Sequence, residues 1–263
     1  MNDAGPSEPS IFRRILCGVD GTPASLVAVR QAMRLQDEGG ALQLTAVANL
    51  AKAAHAGMAA PHAAELLQGE AETALAEARE IAPAATGKLV NGEPVAVLIR
   101  EAEVQQATLV AVGSHGRGRA AGMLLGTVAA RMLRDAPCSV LIAREARDAG
   151  TWPQAVAVGV DGSAESGAAF AAARSVGERF GATLRAVAST KDQVDLEAAR
   201  AIAPELEEQP GRAVEVLVAA SASADLVLVG SRGLRGLRAL GSVSERVAYQ
   251  ARSSVLVVRP APA

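Results

Sequence analysis

The chain has 263 residues, a formal net charge of −2, and a composition that is 50% hydrophobic but only 2% aromatic. Near-neutral charge gives no electrostatic footing for nucleic acid, and no apolar run is long enough to span a bilayer, so neither a nucleic-acid nor a membrane partner is expected. A soluble, cytoplasmic protein with a core of Ala, Val, Leu and Ile is the expectation.

Residues 1–10 are polar and carry Pro and Gly, which predicts a flexible N-terminus without a signal peptide. Ile15 to Val19 reads as a strand that Asp20 ends, and Thr22-Pro23 opens a helix with proline near the tolerated first turn. Leu26, Val29 and Met33 fall at helical spacing and are expected to face the sheet. Leu42 to Ala48 is a second strand, and Ala63 to Ile81 a helical stretch with Glu70, Glu72, Glu77 and Glu80 on a solvated face. Lys88-Leu89-Val90 reads as a short strand and Pro94 to Leu98 as a further helix. Thr108 to Val112 is an apolar run typical of a buried parallel strand, and Val128 to Leu133 reads as a helix. Cys17 and Cys138 lie in or beside strands and read as buried free thiols. His55 and His62 miss the i, i+4 spacing of a helical metal pair, so both read as surface residues.

The chain is a repeat. Ile15 to Thr22 returns as Val156 to Ser163, and Ala46-Val47-Ala48 as Ala186-Val187-Ala188. Val112-Gly113-Ser114 returns as Val229-Gly230-Ser231, Gly126-Thr127-Val128 as Gly241-Ser242-Val243, and Ser139 to Arg144 as Ser254 to Arg259. The expected domains are residues 11–146 and 154–260, joined by a linker over 147–153. The second copy compresses its middle, around Pro204, Pro210 and Gly211, where little looks like a strand. Alternating strands and helices imply an α/β fold: two tandem Rossmann-like domains, each a mostly parallel five-stranded sheet in the order 3-2-1-4-5 with helices on both faces, the second truncated near its third strand. Ligands on such sheets sit where the winding reverses, which puts Asp20 and the loop after Val112 on opposite sides of one crevice.

That loop carries the chemistry. Gly113-Ser114-His115-Gly116 follows the strand, Arg117 to Leu125 continues it, and Gly126-Thr127 opens the next helix. Glycines and an open helix N-terminus offer backbone N–H groups to an anion such as a nucleotide's phosphates. The bland alternative is a structural turn that needs glycine, and for Asp20 it is a helix cap. Arg117 and Arg119 contact phosphate or water, and the sequence does not separate these. His115 lacks a visible nucleophile and carboxylate to act with.

These residues resemble the universal stress protein family, whose nucleotide-binding members carry G-x2-G-x9-G-[S/T] after the fourth strand and an Asp at the end of the first. Gly113, Gly116, nine intervening residues, Gly126 and Thr127 match, with Asp20 in place. The likeness spans nearly the whole chain and implies the adenine nucleotide alpha hydrolase-like fold. By this resemblance Gly18, Val19 and Asp20 meet adenine and ribose, and Val47 lines the base. Val112, Gly113, His115 and Gly116, with Gly126, Thr127, Val128 and Ala129, wrap the ribose and phosphates of ATP, with Mg2+ or Mn2+ on the phosphates. The family's fifth strands pair, which here implies an intramolecular pseudo-dimer joining Val140–Ala143 to Val255–Val258. A further homodimer and an unknown protein partner are left open.

The corresponding second set is Asp161, Val187, Gly230, Gly233, Gly241, Ser242, Val243 and Ser244. Only seven residues, Leu234 to Leu240, separate Gly233 from Gly241, so the loop cannot trace the same path around a triphosphate. Ser242 and Glu245 also form a capping-box pattern, while Arg232, Arg235 and Arg238 supply positive charge, and nucleotide binding there stays open. Three functions fit the chain: a stress-response regulator whose ATP occupancy alters partner or oligomer contacts, a slow ATPase or other enzyme of the same fold group, or a nucleotide-free scaffold. Absence of a base, nucleophile or metal cluster argues against fast chemistry.

Overall fold

The computed structural model describes residues 10–51, 60–115, 125–146, 148, 150–192, 194–231 and 242–259. In the first copy, β1 (Arg14–Val19), β2 (Ala41–Ala48), β3 (Thr86–Asn91), β4 (Leu109–Gly113) and β5 (Ser139–Ala143) alternate with α1 (Pro23–Leu35), α2 (Ala60–Ile81), α3 (Pro94–Val104) and α4 (Thr127–Asp135). The second copy has β6 (Ala155–Gly159), β7 (Thr183–Ser189), β8 (Glu207–Gln209), β9 (Leu226–Gly230) and β10 (Ser254–Val258), with α5 (Ala164–Phe180), α6 (Leu196–Ile202), α7 (Ala213–Ala220) and α8 (Val243–Gln250). The strands among the described residues form one sheet in the order β3-β2-β1-β4-β5-β10-β9-β6-β7-β8. Each half has the expected 3-2-1-4-5 order with parallel neighbours. The halves meet where β5 and β10 pair antiparallel, Leu141 opposite Leu256.

Local chemistry sets the helix starts. Thr22 caps α1 by accepting from the Ser25 N–H at 3.3 Å, with Pro23 behind it, and Ser163 caps α5 from Ser166 at 3.2 Å. Gly181 ends α5 in the left-handed conformation that costs other residues more. The inward stripe of α1 is Ser25, Ala28, Val29, Ala32 and Leu35. Val29 faces the sheet as expected and Leu26 is half-buried, but Met33 is 39% exposed. The stripe is rotated toward small residues because α1 lies very close to the sheet. A methyl on Gly113 would stand 2.6 Å from the Ala24 carbonyl carbon.

The second copy is truncated near its third strand as expected, though the strand itself is present where little in the sequence looks like one. β8 pairs with β7 from Val187 opposite Glu207 to Ser189 opposite Gln209. It is shortened to 3 residues against 6 in β3, and its preceding helix to 7 against 22.

Two apolar layers sandwich the sheet, each running through both copies. One packs α1, α2, α5 and α6 through residues such as Val29, Ala78, Ala173 and Ala199, and the other packs α3, α4, α7 and α8 through Leu98, Met132, Leu217 and Val247. Polar ties at the β5–β10 seam are exchanged symmetrically. The Arg144 N–H donates to Ser254 Oγ at 3.0 Å, and the Arg259 N–H to Ser139 Oγ at 3.1 Å. The Arg144 guanidinium donates to the Ala248 and Ser253 carbonyls at the end of α8, and Arg259 to those of Leu133 and Ala136 at the end of α4. Cations at helix C-termini satisfy carbonyls that the helix leaves open. Burial brings Arg144 down to about 10, which leaves it protonated at neutral pH. Within the expected linker, Trp152 is buried and its Nε1–H donates to the Asp225 carbonyl at 3.2 Å. Cys17 and Cys138 are buried thiols outside any disulfide, as read from the sequence.

Candidate functional site

β1 has β2 on one side and β4 on the other, and the chain leaves β1 and β4 toward opposite faces of the sheet. That divergence opens a cleft of about 460 Å³ beyond their carboxyl ends. Gly18, Val19 and Asp20 form one wall and Val112, Gly113 and His115 the other. Val47 lines it from β2, and Gly126, Thr127, Val128 and Ala129 from the start of α4. Gly116, Arg117 and Arg119 lie outside the described residues, as does His55, while His62 is exposed.

Asp20 is held in place by the turn that follows it. Its Oδ1 accepts from the Thr22 N–H at 3.0 Å and the Thr22 hydroxyl at 2.6 Å, while its own N–H donates to Ser25 Oγ at 3.3 Å. The cap of α1 is therefore Thr22, and Asp20 orients it. Across the cleft, the Ser114 N–H donates to the Ala143 carbonyl at 2.9 Å and its carbonyl accepts from Gly126 N–H at 2.7 Å. This pins the start of α4 against the end of β4. Gly126 is the N-cap and offers no side-chain hydrogen bond, so the first turn of α4 meets the cleft with its N–H groups unclaimed by a cap side chain. Ser114 Oγ lies 3.0 Å from His115 Nδ1, but Ser114 is buried and does not line the cleft, so it positions the imidazole.

Several lining residues escaped the sequence reading: Thr45 from β2 and Asn49 just after it, Leu67 and Glu70 from α2, and Pro94 and Leu98 from α3. Glu70 is solvated as expected, yet it stands at the cleft mouth. Leu98 had a signal: its Cδ1 would sit 3.0 Å from a methyl on Gly18. Gly113 lacks a side chain because the backbone of α1 crosses it, and Gly230 repeats this, with the Glu165 carbonyl carbon 2.5 Å from an added methyl. These glycines answer first to packing.

The second copy has a smaller cleft of about 290 Å³ at the equivalent place. Asp161, Val187, Gly230 and Val243 line it, whereas Ser242 and Ser244 do not, and Gly233 and Gly241 lie outside the described residues. Ser242 Oγ is taken up as the cap of α8, accepting from Glu245 N–H at 3.2 Å and lying 3.2 Å from Ser244 Oγ. Asp161 repeats the arrangement of Asp20: its Oδ1 accepts from the Ser163 N–H at 3.0 Å and the Ser163 hydroxyl at 2.5 Å. Burial pushes the Asp161 carboxyl up, but hydrogen bonds from Ser163 and Ser166 outweigh it and leave it below the usual carboxylate range.

Strand register corrects one element of the repeat. Gly18 stands opposite Thr45, and its counterpart Gly159 stands opposite Val187. Val187 therefore answers to Thr45, and the counterpart of Val47 is Ser189. Matching Ala46-Val47-Ala48 to Ala186-Val187-Ala188 is out of step by two residues, because two Ala-Val-Ala runs on similar strands look alike without their partners.

Residues 11–144 and 188–259 match the model of the Universal stress protein family. The chain belongs to that family. A universal stress protein of Mycobacterium tuberculosis is 31% identical over 287 positions, covering 93% of this chain and 96% of that protein. Another, from Mycobacterium bovis, is 34% identical over 202 positions, covering 65% and 68%. Among solved structures, a universal stress protein from Archaeoglobus fulgidus superposes with a TM-score of 0.75 at 21% identity, covering 96% of this chain and 99% of that one, which speaks for the tandem fold. In this universal stress protein no helix among the described residues is long and apolar enough to cross a membrane.

Proposed function

We propose that this universal stress protein is a cytoplasmic stress-response regulator that binds ATP, or a related adenine nucleotide, in the first cleft. One observation carries the reading: the uncapped first turn of α4 and the Asp20 carboxylate face the same cleft from opposite sides. Unclaimed amides and the positive end of a helix favour a phosphate group, and a fixed carboxylate accepts from ribose hydroxyls. Thr45, Val47 and Leu98 supply the mostly apolar side against which a base would rest. No group of three or more His, Cys, Asp or Glu side chains is arranged for a metal among the described residues. Mg2+ or Mn2+ would accordingly be carried on the phosphate oxygens.

Occupancy acts on partners only through a difference in ATP affinity between two states of the protein. The start of α4 meets the ligand while its end is held by Arg259 of the other copy, so the helix joins the cleft to the seam. Mass analysis of nucleotide extracted from freshly purified protein tests occupancy, and an adenine nucleotide is the expected result. Asp20→Ala should weaken ATP much more than inorganic triphosphate in calorimetric titrations. Equal losses for the two would remove the nucleoside role from Asp20.

A further inference from the structure

The two clefts differ most at the joint between the helices that border them. Leu98 packs on Gly18 as Leu217 packs on Gly159, so Glu93 before α3 corresponds to Arg212 before α7. Helices α4 and α8 end on Ala136 and Ala251, which places Arg131 in correspondence with Arg246 and Asp135 with Gln250. In the first copy Arg131 has two acidic neighbours: Glu93 Oε1 at 3.5 Å from Nη1, and Asp135 Oδ2 at 3.9 Å from Nε. Both are gone in the second copy, one replaced by an amide and the other by a second arginine. Arg212 and Arg246 both line the second cleft, are exposed, and have no acidic partner among the described residues.

The Arg212 and Arg246 guanidiniums border one cavity, and the carboxylates near them are engaged elsewhere, Glu215 on the Arg212 N–H at 2.9 Å, Asp192 on the Ala213 N–H and Asp161 on Ser163, so an anion would supply the partner that both guanidiniums lack. We propose that the second cleft is a site for a single phosphate group, held by the Arg212 and Arg246 guanidiniums, rather than a second triphosphate cradle. Paired guanidinium forks match the oxygens of a phosphate. Three features separate this site from the first. Its volume is about 290 Å³ against about 460 Å³. Ser242 already occupies an N–H of the first turn of α8, where α4 has no side-chain cap. Where Val47 lines the first cleft, Ser189 stands with its hydroxyl committed, donating to the Gly211 carbonyl at 2.6 Å and accepting from the Lys191 and Asp192 N–H groups. Asp161 and Asp192 also face this cavity. Asp192 Oδ2 accepts from the Ala213 N–H at 2.5 Å, and Asp161 lies where it would meet hydroxyls on the body of a phosphate ester. Phosphate in the second cleft requires no ATP in the first.

Thermal shift of the full chain, titrated with inorganic phosphate or ribose 5-phosphate against potassium chloride at equal ionic strength, tests it. Saturable stabilisation by a phosphate compound beyond the chloride control is expected. The arms decide between sources: a larger response to the ester brings in its body and Asp161, and an equal response assigns free phosphate. Arg212→Glu recreates the ion pair of the first copy. It should raise the melting temperature of the ligand-free protein and cut phosphate affinity about tenfold or more, while leaving any ATP response in place. Arg246→Gln, which needs no new pair, should lose the phosphate response as well. A response retained in both variants, or matched by chloride alone, overturns the assignment.

Discussion

Asp20 and Thr22 divide a task that one side chain performs in many helices. Thr22 closes the first turn of α1, and Asp20 fixes Thr22 from behind. Glu101 shows a different economy. It is buried on α3 and takes its partner from the edge strand, Lys88 Nζ at 2.7 Å. The Lys88 hydrogen bond, opposed by desolvation and aided by the charges of Lys88 and Arg100, holds the Glu101 carboxyl below its ordinary 4.5. A depressed folded value means stability that is full above the unfolded value and lost as pH falls through the folded one. Glu101→Gln should therefore lower stability by about 1 kcal/mol at neutral pH and flatten the decline below pH 4.5. Denaturant titrations at several pH values read both effects, and an unchanged acid slope would show that the ion pair does not couple to folding.

At the scale of elements, α4 and α8 are the same helix put to different uses. Both have their C-termini held by an arginine of the opposite copy. Only α8 has a capping hydroxyl, from Ser242, and only α4 opens its first turn to the larger cleft. Gly126→Asp would give α4 a carboxylate cap, worth about 0.3 kcal/mol of stability over the glycine, in the place proposed for phosphate. Higher melting temperature with weaker ATP binding is the expected pair of results, and stabilisation without loss of ATP would place the phosphates elsewhere. The sequence made most of these elements legible because each is written locally: Thr22-Pro23 and Ser242 mark helix starts, and the apolar run through Val110 marks a strand buried on both faces. What it left unreadable depends on partners far along the chain. Met33 falls on a valid helical stripe, yet the close approach of α1 to Gly113 favours the stripe through Ala28 and Ala32. The short β8 is visible only beside β7, and the step of two residues between β2 and β7 only from the strands they pair with. The arginine pair of the second cleft needs helix ends as well as residue types to be aligned.

Across the whole molecule, the seam between copies has the character of an interior. Leu141 and Leu256 are fully buried at the β5–β10 pairing, and both apolar layers continue past it. Arg179 on α5 adds a tie away from the sheet, donating to the Arg34 carbonyl at 2.7 Å and the Leu35 carbonyl at 2.9 Å where α1 ends. Its guanidinium also stacks over the Phe180 ring, 5.1 Å from the centroid. Separating the copies would uncover two sheet edges and the ends of three helices together, so partial unfolding at this boundary is expensive. The chain should then unfold as one cooperative unit rather than as two domains in sequence. Trp152, the single tryptophan, is 2% exposed in the segment that joins the copies, with its Nε1–H on the Asp225 carbonyl of the second copy. Its fluorescence and the far-UV circular dichroism should change along one superimposable denaturant curve. An earlier fluorescence transition would mean that the joining segment or the second copy gives way before the rest of the sheet, and the continuous sheet would then be a weaker tie than its buried leucines imply.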